Sequence, residues 1–559
     1  MTTVLVIHVG PVQPFIASAR RLSDLLAGSR ILSDLAGAAA RGAQEAGATL
    51  IFPADVDDEG SPNKVLAYCP GGPEQARAAV LAARKALGDR WSDHVQEVIG
   101  EFRNCLDLPV FQDQARLEDW CQFYAAWATR ETYAEARDAA ERLLDGRKRT
   151  RDFLARDGRP GSPDGRPKSW LDAGREDVLD RSASASLVRL RRRLLLKGEE
   201  RLDALGAVKR LDRYRERFAS INDITIRAGR RVWPKERFDA LREFEEAACR
   251  LFGVSRIDAA WYFPDRLEIE AKDAGLGEQE IRELRALLKG SGFRSTPYYA
   301  LVLADGDGIG AAISGRNDPE AHRALSRSLQ SFAVTARGRI RDDAAGHLGE
   351  PIYCGGDDVL AAFPLATAVH AATDLSELFA QQVPGCSLSA GIAVAHMLTP
   401  FDRVREWAAT AEREAKKWRR TRSESLARRG ALALRIRKRS GDFLTVCGPA
   451  APDPAATGNL AWALGEAAGL YDAGQLAEKA AYDLRVGLNG VPAEARWDVA
   501  RRILARKRGD DGQAEARLES LISWVQQVHG DADGIEALIG LLLAGRFLHQ
   551  HRPRPPAGG

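Results

Sequence analysis

The sequence predicts a multidomain α+β protein built around a split β-α-β sheet, and three observations predict it. The chain has 559 residues, too many for one core of ordinary size, so roughly three or four domains are expected. Between Tyr298 and Trp418 the patterning runs strand, helix, strand, strand, helix, strand, which is the ferredoxin-like order. From residue 459 to about Leu548 the pattern is helical, with no concentration of acid, histidine or glycine, as expected of a docking module.

Taken in order, residues 4–9 read as a buried strand, broken by Gly10-Pro11 before a helix with apolar positions at Phe15, Ala19, Leu22, Leu26 and Leu32. Residues 48–52 follow Gly47 as a second strand, so the chain opens as a strand-helix-strand layer. His8 is read as packed, the usual state of a lone histidine in an apolar strand. From about Glu74 to Leu144 the spacing of apolar residues predicts helix, with Trp120, Phe123, Tyr124 and Trp127 as a core stripe. Residues 156–175 are rich in glycine and proline and read as an exposed loop. A basic stretch follows: Arg189, Arg191, Arg192, Arg193, Lys197, Arg201, Lys209, Arg210, Arg213, Arg215 and Arg217. A solvated helix face and contact with an RNA backbone both fit that density.

The chemistry concentrates between residues 298 and 418. A strand over 298–304 ends at Asp305-Gly306-Asp307-Gly308-Ile309-Gly310, and a helix follows from His322 to about Asp342. Then comes Tyr353-Cys354-Gly355-Gly356-Asp357-Asp358-Val359-Leu360, two apolar arms with glycines between them, which predicts a hairpin bearing two carboxylates at its tip. Adjacent carboxylates repel and are costly to desolvate, so an apolar hairpin presenting them is best explained by a bound divalent cation. In a β-α-β-β-α-β sheet the first strand lies beside this hairpin, which brings Asp305 next to Asp357 and Asp358.

Three carboxylates so placed are the candidate catalytic and metal-holding residues for nucleotidyl transfer. One divalent cation lowers the pKa of an attacking ribose hydroxyl, and a second neutralises the triphosphate and the leaving pyrophosphate. The candidate nucleotide-binding residues are Gly306, Asp307, Gly308, Gly310, Gly355 and Gly356, the glycines because they let backbone N–H groups approach phosphate oxygens. Lys416, which follows Glu412 and Glu414 on a helix over 401–418, is the candidate triphosphate contact, with an ordinary solvent-facing lysine as the alternative.

Composition narrows the rest. The net charge of +3 arises from 81 basic and 78 acidic residues, so local patches matter more than the total, and nucleic acid is allowed without being demanded. Seven cysteines without CxxC spacing argue against a disulfide framework and against a cysteine-rich zinc site. No apolar run suffices to span a bilayer and the start lacks a signal peptide, so no membrane association and a cytoplasmic location are expected.

These residues together resemble the nucleotidyl cyclases and GGDEF-type synthases. They are similar in particular to the Cas-ten family of Cmr type, the large subunits of type III-B CRISPR effector complexes. The resemblance rests on Gly10 to Gln13 with Phe15-Ile16, Ala19-Arg20, Asp24-Leu25 and Gly28-Ser29, then on Ser61 to Lys64 and Gly165 to Leu171. It continues through Asp305 to Asp307, Tyr353 to Leu360, Ser389 to Ala393 with His396, and Ala415-Lys416.

The resemblance implies two ferredoxin-like palm domains, at 1–135 with a helical insertion and at 291–440. It also implies a mainly helical basic linker domain at 136–290 and a C-terminal helical domain with a disordered tail at 441–559. It implies synthesis of cyclic oligoadenylate from ATP with Mg²⁺ or Mn²⁺, triggered by target RNA, with a guide RNA and the other subunits of the complex as partners. Two departures matter. None of the nine histidines precedes an aspartate, so no HD nuclease is expected. Asp203 and Gly206 stand where the family carries a CxxC pair, so no zinc is expected and that region is expected to be held by packing alone. The alternatives are a catalytically silent scaffold that binds guide RNA and partner subunits, and a stand-alone GGDEF-like cyclase.

Overall fold

The computed structural model describes the chain except residues 57–60, 151–166, 181–193, 195, 197, 198, 212–218, 235, 236, 439, 440, 452–457, 510, 511 and 555–559. It divides into two compact units, Met1–Phe218 with Gly308–Ala333, and Ala219–Asp307 with Val334–Gly559. The helical stretches expected as separate domains are therefore distributed between two sheet-bearing units.

The first unit holds β1 (Thr2–Gly10), β2 (Thr49–Phe52), β3 (Lys64–Tyr68) and β4 (Gln122–Arg130) in the order β2-β3-β1-β4, every pair antiparallel. This is the ferredoxin-like arrangement. Alternate residues of β1 enter opposite cores: Leu5, Ile7 and Val9 join the helices Leu22–Glu45 and Gly72–Phe102, while Val4 and Val6 join the helix Tyr133–Arg149. Strand β4 corrects the helix expected from Glu74 to Leu144. Phe123 and Trp127 pack into one core and Tyr124 and Ala128 into the other, a period of two that looks helical only when the flanking helices are read through it. The aromatics are core residues as expected, and Trp120 stacks on Phe15 with centroids 4.6 Å apart. The expected first helix is two helices, Val12–Ala17 and Leu22–Glu45.

Part of the basic stretch is not solvated at all. Lys209 and Arg210 are each 1% exposed. Lys209 Nζ donates to the Phe15 and Ser18 carbonyls, the latter at 2.8 Å, and lies over the Phe15 ring. Arg210 donates to Asp24 at 3.0 and 3.1 Å and to Glu200 at 2.7 Å. These two cations close the core around the start of the Leu22–Glu45 helix, so they are not available to RNA. Arg189, Arg191 to Arg193, Lys197, Arg213, Arg215 and Arg217, with Gly165 and Arg166 of the preceding loop, lie outside the described residues. At the position of the missing cysteine pair, the buried Asp203 accepts from Ser169 Oγ at 2.6 Å and from the Gly206 N–H at 2.9 Å. Hydrogen bonds therefore hold this region as well as packing, a correction to the expectation above.

The second unit holds β5 (Tyr298–Asp307), β6 (Glu350–Gly355), β7 (Asp358–Pro364), β8 (Ser387–His396), β9 (Ala431–Arg437) and β10 (Phe443–Pro449), in the order β10-β9-β8-β5-β7-β6. The core β8-β5-β7-β6 is again ferredoxin-like. Strands β9 and β10 extend it, the last lying past the boundary expected at residue 440. Strand β9 runs parallel to β8 and so requires a crossover, which is the helix Phe401–Arg420. That crossover lays a helix against one face of the sheet, beside the end of β5.

The C-terminal stretch is helical, as expected: Leu460–Asp472, Ala480–Gly487, Arg496–Ala505 and Gly512–Gln550, the last kinked at Gly530. Among the described residues no helix is long and apolar enough to cross a membrane.

Candidate active site

The hairpin forms as its composition dictates. Gly355 pairs with Asp358, leaving Gly356 and Asp357 as a two-residue turn, and Gly356 takes φ 64, which favours glycine. Gly355 has a different reason: a Cβ there would overlap the hydroxyl end of Tyr353, which folds across the hairpin. Register then assembles the site. Ala304 of β5 pairs with Val359 of β7, so Asp305 and Asp358 are each one step beyond that pair, in adjacent strands. Residues opposed across an antiparallel pair share a face, which places both carboxylates on one side of the sheet.

The crossover helix covers that side, and Gly391 of β8 governs how closely. A Cβ at Gly391 would overlap Glu412 N and Ala408 O and lie 2.7 Å from Ala411 C, so the helix backbone rests directly on the strand. This contact brings Glu412 and Lys416, one helical turn apart, to the ends of β5 and β7. Lys416 Nζ pairs with Asp305 Oδ2 and, at 2.9 Å, with Glu412 Oε1. The lysine read as a triphosphate contact is thus an ion-pair partner of a candidate metal ligand. Glu412 was missed as a site residue, although its i,i+4 spacing from Lys416 was a usable signal.

Asp307 also departs from its expected role. It is 5% exposed, and its Oδ2 accepts from Ser387 Oγ at 3.0 Å and Ser389 Oγ at 2.6 Å. Its Oδ1 faces Arg419 Nε at 3.2 Å. Ser389 Oγ in turn accepts from the Ala431 N–H at 3.1 Å. A carboxylate committed to β8 and the crossover helix is a brace, not a surface for nucleotide. Gly308 has φ 83 and caps the short helix Ile309–Ser314, and a Cβ at Gly308 or Gly310 would meet open space. Gly306 lies within β5, opposite Leu388.

The electrostatics follow from crowding. Burial raises the Asp357 carboxyl above its usual range. Asp358 is pushed up to about 7 by burial first and then by Asp357 and Glu412, while water at its exposed edge tempers the effect. Burial, then Asp307, raises Glu412. Burial, then Arg420 and Arg419, lowers Lys416. Carboxyls driven toward protonation are a set of oxygen donors that suits a hard divalent cation. Among the described residues no three His, Cys, Asp or Glu side chains already form a metal-holding group.

Residues 298–425 match the model of the Cas10/Cmr2 second palm domain, and residues 4–96 match that of the CRISPR-associated protein Cmr2 N-terminal region. These two segments are similar to the Cas10/Cmr2 family. A curated relative, the CRISPR system Cmr subunit Cmr2 of Pyrococcus furiosus, is 27% identical over 204 residues, a match that covers 30% of this chain and 22% of the relative. The chain also shares its fold with a chain of the type III-B Cmr-beta complex in the apo state, with a TM-score of 0.63 and 13% identity, covering 91% of this chain and 78% of the other. The same complex bound to cognate target RNA gives a TM-score of 0.63 and 11% identity, with the same coverage.

Proposed function

We propose that this chain is the large subunit of an RNA-guided type III-B effector complex and joins ATP into cyclic oligoadenylate when target RNA is bound. The observation that carries the reading is the register that sets Asp305 and Asp358 on one side of a Cas10/Cmr2-like palm, with Asp357 next to them in the hairpin turn and with Asp357 and Asp358 raised above the usual carboxylate range. Asp305, Asp357 and Asp358 would hold Mg²⁺ or Mn²⁺, whose charge would activate a ribose hydroxyl and neutralise the triphosphate. The chain's own residues supply placement. Gly391 sets the crossover helix against the sheet, Asp307 braces it through Arg419, and Glu412 and Lys416 then stand beside the acids.

The relatives in Cmr complexes, one of them bound to cognate target RNA, motivate guide RNA, target RNA and fellow Cmr subunits as partners, in the cytoplasm. The test is mass spectrometry of products after incubation of the assembled complex with ATP and Mg²⁺, with and without target RNA. Oligoadenylate that requires target RNA and vanishes in the Asp357→Ala, Asp358→Ala double variant is expected. A second reading, a catalytically silent scaffold, is favoured by one observation, the engagement of Asp305 by Lys416. It predicts assembly of the complex without any ATP-derived product.

A further inference from the structure

We propose that Lys416 is an internal counter-ion that closes the metal-free site on Asp305 and yields its place only when a metal-bound triphosphate gives its ammonium another anion. The inference rests on the nucleotidyl-transfer reading and adds an order of binding to it. Lys416 bridges Asp305 and Glu412, and its side chain is 20% exposed, so its charge faces the acids rather than solvent. The neighbouring Arg419 cannot replace it, because its guanidinium is committed to Asp307 and to the Ala427 carbonyl. Arg420 is exposed and acts on Glu412 and Lys416 through its charge, from a position open to solvent. Lys416 is therefore the cation that neutralises Asp305 while metal is absent.

Lysine suits an exchange. Its ammonium is a point charge on a flexible four-carbon stem, whereas an arginine fork would be locked to one carboxylate geometry. The helix that carries it is pinned at Gly391 and through Arg419, so only the side chain needs to swing. A divalent cation arriving alone must displace the ammonium from Asp305 and leave it beside a like charge. A cation arriving with a triphosphate supplies new oxygens for Lys416, so no ion pair is lost overall. Metal and nucleotide binding are thereby coupled, each strengthening the other by the same factor.

The test uses Mn²⁺ binding to the full chain, followed by the spin-resonance signal of free Mn²⁺, with and without a non-hydrolysable ATP analogue. Lys416→Met is expected to bind Mn²⁺ alone about tenfold more tightly than the unaltered chain and to lose most of the enhancement by nucleotide. Arg420→Met controls for removal of any nearby positive charge, and it should change Mn²⁺ affinity less than threefold, by roughly the scale of screened exposed charges. Lys416→Gln serves as a second variant, judged by the same criteria, and thermal melting verifies that each variant is folded. Equal Mn²⁺ affinity in Lys416→Met and the unaltered chain would overturn the exchange, as would an equal gain in Arg420→Met. Asp305→Asn separates the two readings. If it abolishes Mn²⁺ binding while Lys416→Met gains nothing, the metal site stands and the exchange fails. If Asp305→Asn has no effect on Mn²⁺ in either background, the metal site itself fails.

Discussion

Substituting Gly391 by alanine tests how the site is built. Gly391 pairs with Leu303 of β5 on one side and Ala433 of β9 on the other, so the strand sits inside the sheet and cannot recede. The added methyl would overlap Glu412 N and Ala408 O, which are backbone atoms and cannot escape by changing rotamer. The crossover helix must therefore withdraw by roughly 1 Å to restore ordinary contact distances. Overpacking of this kind costs about 1–3 kcal/mol. The Glu412–Lys416 pair lies within the helix and travels with it, but the Lys416–Asp305 pair crosses the gap and is broken or lengthened. A misplacement of this size costs on the order of 10²-fold in rate at a site that depends on orientation. Urea denaturation should show the loss of stability, and oligoadenylate formation by the assembled complex should show the loss of rate. Unchanged stability together with an unchanged rate would refute the claim that the close contact at Gly391 positions the site.

Two further outcomes follow from the buried charges. The folded-state pKa of Asp358 lies above its unfolded value, so between about pH 4 and 7 the folded state binds more protons and, without divalent cation, stability should fall as pH rises. Comparing denaturant midpoints at pH 5 and pH 8 should show a loss for the unaltered chain that Asp358→Asn does not share. Arg210→Met removes the guanidinium that pairs with the buried Asp24 and Glu200, and breaking such a cluster costs about 3–5 kcal/mol. A melting temperature unaffected by that change would contradict the structural role assigned to Arg210.

The parts legible in the sequence were those governed by local rules. The glycine-tipped hairpin at Gly355 to Asp358, the strand ending at Asp305 and the helical C-terminal stretch each carry their signal within a few residues. The strand at Gln122–Arg130 was hidden because both its faces carry apolar residues packed against cores, so these merge with those of the helices before and after it. Strand β9 was missed for a related reason: its run from Ala431 to Arg437 is short and follows directly on the crossover helix that it requires.

Charge was the property least readable from order alone. Lys209 and Arg210 lie in a run of basic residues that looks solvated, and only the folded chain shows carbonyls and carboxylates waiting for them. Asp305 and Asp307 share one motif and were assigned to a common nucleotide site. Residues two apart on a strand share a face, yet Asp305 meets Lys416 at the edge of the crossover helix while Asp307 is sealed between two serines and Arg419. By itself the sequence determined the acids, the hairpin and the strand order that brings them together, because turn chemistry and hydrophobic period act over short distances. Only the tertiary structure decided which acid is braced and which is paired, because the neutralising partners arrive from residues about a hundred positions away along the chain.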